Sequence, residues 1–128
     1  MKILLEDYEL LKTRLEEISK ELKDLAPEFK EALNQSTETW HDNSPWDDAK
    51  LRERILLTEQ DQLRKVFREC EVVKLNKEKY IGKRHKLRYG GQDKLIYLAG
   101  DFTMCPGQKD DGHTIVTTSS PIAQQIIK

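Results

Sequence analysis

Leu4-Leu5-Glu6-Asp7-Tyr8-Glu9-Leu10-Leu11-Lys12-Thr13-Arg14-Leu15 opens a heptad helix, and Glu38-Thr39-Trp40-His41-Asp42-Asn43-Ser44-Pro45-Trp46-Asp47-Asp48 ends it. Leu4, Tyr8, Leu11, Leu15, Ile18, Leu22, Leu25, Phe29 and Ala32 alternate spacings of three and four, the apolar seam of a coiled coil. The spacing predicts a helix from near Ile3 to about Ser36, a rod on the order of 45 Å long. Pro27 falls inside it without disturbing the register, which predicts a kink rather than a break. The segment that follows holds four carboxylates and no Lys or Arg. Asn43, Ser44 and Pro45 favour a turn there. Asp42 or Ser44 can cap the next helix, and Pro45 suits its first turn.

A second helix is expected from about Ala49 to Cys70, with Leu56, Leu63 and Cys70 seven residues apart and Ile55, Val66 and Phe67 beside them. Arg52 and Glu59 stand where apolar seam residues would help, so looser pairing is expected toward the tip. Beyond Cys70 the texture changes. Val72–Leu75, Lys86–Tyr89, Lys94–Leu98 and His113–Thr117 read as short strands punctuated by Gly82, Gly90-Gly91 and Gly100. Residues 101–112 read as a loop, and Ser119-Ser120-Pro121 as the start of a short helix running to Ile127. The fold class is α+β. Residues 1–70 form an antiparallel helical hairpin with an acidic tip at 37–48, and residues 71–128 form a small antiparallel sheet domain with a short helix.

The 128 residues are 37% hydrophobic and 35% charged, a balance suited to a hairpin that buries one stripe per helix. The net charge of −1 conceals segregation. Residues 1–73 carry 18 acids and 12 bases, whereas residues 74–94 carry eight bases and two acids. Such segregation predicts partners that present different signs of charge to different regions. Two cysteines, Cys70 and Cys105, are too few for a disulfide framework. No apolar run approaches a membrane span, and the N-terminus lacks a signal-peptide core, so the reading is cytoplasmic. His41, His85 and His113 are scattered, which gives no zinc spacing, and no phosphate loop or nucleophile elbow is present.

Several of these stretches together resemble the bacterial Gre transcript-cleavage factors. Ile115-Val116-Thr117-Thr118-Ser119-Ser120-Pro121-Ile122-Ala123 resembles the strand and Ser-Pro-Ile-Ala helix start of the Gre C-terminal domain. Ala26-Pro27-Glu28 resembles the Pro-Glu pair of the first Gre helix, and His41-Asp42 falls at the family's Gly-Asp tip. Leu63, Val66 and Cys70 fall on family apolar positions, followed by Val72-Val73-Lys74-Leu75 as a first strand.

The resemblance implies an FKBP-like sheet domain docked on the rim of RNA polymerase's secondary channel, with the hairpin inserted. It implies a monomeric, DNA-binding factor of transcription elongation that binds RNA polymerase, and an accessory factor rather than an enzyme. The cofactor is none of its own. The Mg²⁺ belongs to the polymerase, near the RNA 3′ end, with Asp42 as the tip carboxylate that helps hold it and Asp47 and Asp48 as its partners. Mg²⁺ keeps several waters and takes few carboxylates, so one protein can lend a ligand to another's site.

Two departures bear on this. Pro45 stands where the family has a second tip Glu, and Ala49 stands where it has a tip aromatic. Stimulated cleavage of backtracked RNA and silent occupation of the channel, as an inhibitor or competitor, both stay open. Gre chains also continue for two further strands, so this chain reads as a short form or a truncated one.

Other readings of the same residues stand beside these. Asp42 serves as a helix cap as readily as a delivered carboxylate. Trp40 and Trp46 are braces of the turn or, if exposed, an apolar anchor for a partner. Ser119, Ser120, Pro121 and Ile122 are the partner-contact segment that the resemblance implies. Lys83, Arg84, Lys86 and Arg88 form a basic patch suited to partner docking or sequence-independent RNA contact, and otherwise a solvated strand face. A hairpin interaction module unrelated to transcription is the alternative of a different class. Prolyl isomerisation would need an aromatic pocket that the short sheet scarcely offers.

Overall fold

The computed structural model of the chain describes residues 1–36 and 44–127. A two-residue strand β1, Lys2–Ile3, precedes helix α1, Leu5–Ser36, and helix α2 covers Ser44–Glu69. Strand β2, Glu71–Val72, and a 3₁₀ turn, Leu75–Lys77, lead to β3, Lys83–Tyr89, and β4, Gln92–Leu98. Strands β5, Lys109–Asp110, and β6, His113–Val116, and helix α3, Pro121–Ile127, complete the chain. It divides into two compact units, one of Lys12–Lys65 and one of Met1–Leu11 with Val66–Lys128.

In the hairpin unit the heptad seam is buried as its spacing requires. Ile18, Leu25 and Ala32 are buried on α1, and Ala49, Gln60 and Leu63 on α2. Helix α1 passes through Pro27, which is exposed, so the ring faces solvent and no break occurs. Helix α2 begins five residues before the expected Ala49, because Pro45 fits a first helical turn and Asp47 favours its positive dipole end.

The two charged seam residues are used rather than tolerated. Arg14 grips Glu59 through two hydrogen bonds, Nε–Oε2 at 2.7 Å and Nη2–Oε1 at 2.8 Å. Nearer the tip Arg52 pairs with Glu28. As positions rise along α1 from 14 to 28, their partners on α2 fall from 59 to 52, so the helices run antiparallel. Arg14 lowers the ionisation range of the Glu59 carboxyl by hydrogen bonding and charge, against the opposing effect of burial. A carboxylate lowered in this way contributes stability above its unfolded value and loses it as pH falls through the folded one. Hairpin stability is therefore expected to drop on acidification below the ordinary Glu range. Glu59→Gln should flatten that dependence at a cost of about 1 kcal/mol near neutrality, since the pair is partly solvated. Denaturant midpoints measured against pH for both proteins check this.

The second unit differs from expectation in three places. The sheet order is β3-β4-β6-β5, and β4 pairs with β6 in parallel, so the sheet is mixed rather than antiparallel. A tight hairpin forces antiparallel neighbours, as Gly90-Gly91 does between β3 and β4 with φ of 62° and 79°. Residues 99–112 are long enough to carry the chain back and start β6 in the direction of β4. Secondly, the expected strand Val72–Leu75 shrinks to β2 and the 3₁₀ turn. Thirdly, part of the expected loop, Lys109–Asp110, is strand β5, joined to β6 by the turn at Asp111-Gly112. Cys70 lies just past α2 and is half-buried, its thiol donating to the Phe67 carbonyl at 3.3 Å rather than filling a core.

Strand β1 threads this unit together. It pairs in parallel with β2, and its Lys2 exchanges bonds with Asp101: Lys2 N–H donates to Asp101 Oδ2 at 2.7 Å and Asp101 N–H to Lys2 O at 2.6 Å. Leu4, Ile81 and Ala99 form a core, with Val73, Tyr97 and Ile115 packed on it. The buried Asp7 accepts from Thr103 Oγ1 at 2.9 Å and Met104 N–H at 3.0 Å, pinning the loop after β4.

Candidate functional site

The acidic approach to the tip begins at the first turn of α2. Pro45, Asp47 and Asp48 are exposed there, and Trp46 is half-buried. Trp46 meets Phe29 edge-on, with ring centroids 5.1 Å apart at 70°, and Lys50 Nζ lies 5.4 Å from the Phe29 ring and 5.5 Å from that of Trp46. This aromatic cluster braces the two helices where the seam tapers to Ala32 and Ala49. Asp42 and Trp40, and with Trp40 its expected bracing of the turn, lie outside the described residues.

Asp47 and Asp48 are suited to lending carboxylate oxygens one at a time. Successive residues of a helix point about 100° apart, so the two cannot close on one ion together. Asp48 instead borders a groove of about 380 Å³ with Glu28, Glu31, Ala32, Pro45 and Arg52. Among the described residues no group of three His, Cys, Asp or Glu is placed to hold a metal ion.

The Ser-Pro-Ile turn is ordered by its own hydrogen bonds. Ser120 Oγ donates to Thr117 O at 2.9 Å and accepts from Ala123 N–H at 3.3 Å, which makes it the cap of α3. Thr117 and Ser119 hydroxyls are 3.0 Å apart, and Gln124 Nε2 donates to Thr118 O at 2.5 Å. Pro121 and Ile122 face Ile96, Thr114 and Val116 across an apolar groove of about 380 Å³. Thr118 Oγ1 also donates to Asp101 Oδ1 at 2.5 Å. Burial raises the Asp101 carboxyl's ionisation range, but the Lys2 N–H, the Thr118 hydroxyl and nearby positive charge outweigh it and the net shift is downward.

The basic strand divides between faces. Arg84, Lys86 and Arg88 alternate with Lys83, His85 and Leu87 along β3. Arg84 reaches Asp110 at 3.4 Å and Asp111 at 3.9 Å, Arg88 reaches Asp93 at 3.7 Å, and Lys83 Nζ donates to the Glu78 carbonyl at 2.7 Å. Part of the positive charge is thus neutralised within the sheet unit. Sequence reading missed Asp7 and Asp101, because their partners lie more than ninety residues away and no local pattern marks them. Residues 101–112 read as a loop, yet Asp111-Gly112 is a hairpin-turn signal from which the short strand before it could have been found.

No protein-family model and no curated protein matches the sequence. Solved structures do match in fold. One is the transcription factor Gfh1, at 18% identity and a TM-score of 0.54, covering 97% of this chain and 79% of that one. Another is GreA factor homolog 1 of Thermus thermophilus, at 16% identity and a TM-score of 0.52, covering 97% of this chain and 80% of that one. The likeness is one of fold. A long helix pair followed by a small mixed sheet and a short helix is the Gre-like arrangement, and this chain has it. No helix among the described residues is long and apolar enough to cross a membrane.

Proposed function

We propose that the chain is an RNA polymerase-binding regulator of transcription elongation, which inserts its hairpin into the secondary channel and acts there without an active site of its own. The observation that carries this reading is the closure of the hairpin on itself. Arg14–Glu59, Arg52–Glu28 and Phe29–Trp46 all join α1 to α2 of one chain. A seam satisfied within the chain suits a monomeric probe, whereas an interaction module built on an intermolecular coiled coil would leave that seam open. The Gre-like fold supports the same reading.

In this proposal Asp42 offers the carboxylate nearest the polymerase's Mg²⁺, with Asp47 and Asp48 as secondary acids. The sheet unit docks on the rim through Ser119, Ser120, Pro121 and Ile122. Pro45 favours a second reading, in which the hairpin occupies the channel without promoting cleavage. Proline offers no side-chain ligand, and here it is built into the first turn of α2.

The test is RNA cleavage in a stalled, backtracked elongation complex, comparing the wild-type chain with Asp42→Asn. Shortening of the RNA from its 3′ end by the wild type and not by the variant is the result expected of a metal-holding tip. If neither shortens it, but the wild type blocks a cleavage-competent channel factor, the silent-occupant reading holds. Failure of both cleavage and competition would overturn the polymerase reading.

A further inference from the structure

Helix α1 of the hairpin unit carries a run of five acids along one side. Glu17, Glu21, Asp24, Glu28 and Glu31 recur at spacings of four and three, an exposed stripe beside the buried seam of α1. At 3.6 residues per turn, Lys12, Lys23 and Lys30 fall on the far side of the same helix, and Lys20 falls at the edge of the stripe, one turn before Asp24. Between the acidic stripe and α2 runs a groove of about 350 Å³. Its floor is Leu25, Ile55 and Leu56, and its wall is Glu21, Asp24 and Glu28, with Arg52 at one side.

The floor is not closed by the hairpin. Leu25 is 3% exposed, but Ile55 is 57% exposed and Leu51, one turn away on α2, 54%. Arg14 draws on Glu17 and Glu21, and Arg52 on Glu28. Asp24 and Glu31 have no ion-pair partner among the described residues. An apolar floor calls for apolar side chains, and a carboxylate wall accepts cations and rejects acids.

We propose that this groove docks a basic amphipathic helix of a partner protein. The helix lays apolar side chains on Leu25, Ile55 and Leu56 and sets Lys or Arg against Asp24 in the wall and against Glu31, two turns further along the acidic stripe beyond the groove, forming a third helix against the hairpin. A second copy of the chain fits less well through its α1. Its basic side on α1 interleaves Glu16 and Ser19 and so has no continuous apolar stripe to offer. The inference rests on the hairpin's own surface and does not depend on the polymerase reading.

The test uses the full chain and a labelled synthetic helix with a leucine stripe flanked by lysines, followed by fluorescence anisotropy at low and high salt. The lysine helix should bind and weaken with salt, and the same helix carrying glutamates should not bind. Asp24→Lys combined with Glu31→Lys should weaken binding about tenfold, as should Ile55→Asp, because wall and floor each contribute. Lys23→Glu with Lys30→Glu, on the far side of α1, should leave binding unchanged. All these positions are exposed, and circular dichroism verifies that helix content is kept. The proposal is overturned if the lysine helix does not bind, or if the opposite-side reversal weakens it as much. It is also overturned if the chain dimerises and the wall and floor variants abolish the dimer.

Discussion

Gly100→Ala is expected to destabilise the sheet unit by about 3 kcal/mol, lowering its melting temperature by roughly 10 °C or more. A Cβ placed at Gly100 would lie 2.2 Å from the Lys2 carbonyl oxygen, 2.8 Å from its carbon and 2.9 Å from Ile3 Cα. These are backbone atoms, so no rotamer change can relieve the clash. Strand β1 would have to move off, and with it the paired bonds between Lys2 and Asp101 and the parallel ladder to Glu71 and Val72. Gly91→Ala separates this from ordinary glycine effects. Its Cβ would meet nothing, and only its φ of +79° opposes the change, at about 1 kcal/mol. Hydrogen exchange should show protection lost at β1 and β2 in Gly100→Ala and retained in Gly91→Ala. Equal stability of the two variants would refute the close approach.

Ile18→Ala should cost about 3 kcal/mol in the hairpin unit, read as a lower denaturant midpoint by far-UV circular dichroism. Ile18 is fully buried, and truncation leaves a cavity in a seam only one layer of side chains thick. The neighbouring seam positions cannot refill it easily, since Leu15 and Leu22 are already half-buried in their own layers. Ile55→Ala is the internal comparison: the side chain is largely exposed in the free chain, so its loss should change stability by less than about 0.5 kcal/mol. An Ile18→Ala variant as stable as the wild type would mean that the heptad does not hold the hairpin together.

The sequence by itself determined the parts of this protein that repeat locally. A heptad from Leu4 to Ala32 can bury only one stripe, so the hairpin, its helix type and its seam residues follow from spacing alone. The Gly90-Gly91 turn and the Ser120 cap of α3 were equally legible, because each is set by residues within four positions of one another. The long-range pairings were not. Strand β1 has two residues and no pattern, and it exists because Glu71, Val73 and Asp101 supply its hydrogen bonds. The parallel pairing of β4 with β6 depends on where the chain from Ala99 onward returns, which no alternation of side chains records. Arg52 and Glu59 read as defects in a seam and became cross-helix partners only when Glu28 and Arg14 were brought opposite them. Local periodicity reports how much apolar surface a segment must bury. Which distant backbone or charge meets it is decided by tertiary structure, because the free energy of a pairing belongs to both partners at once.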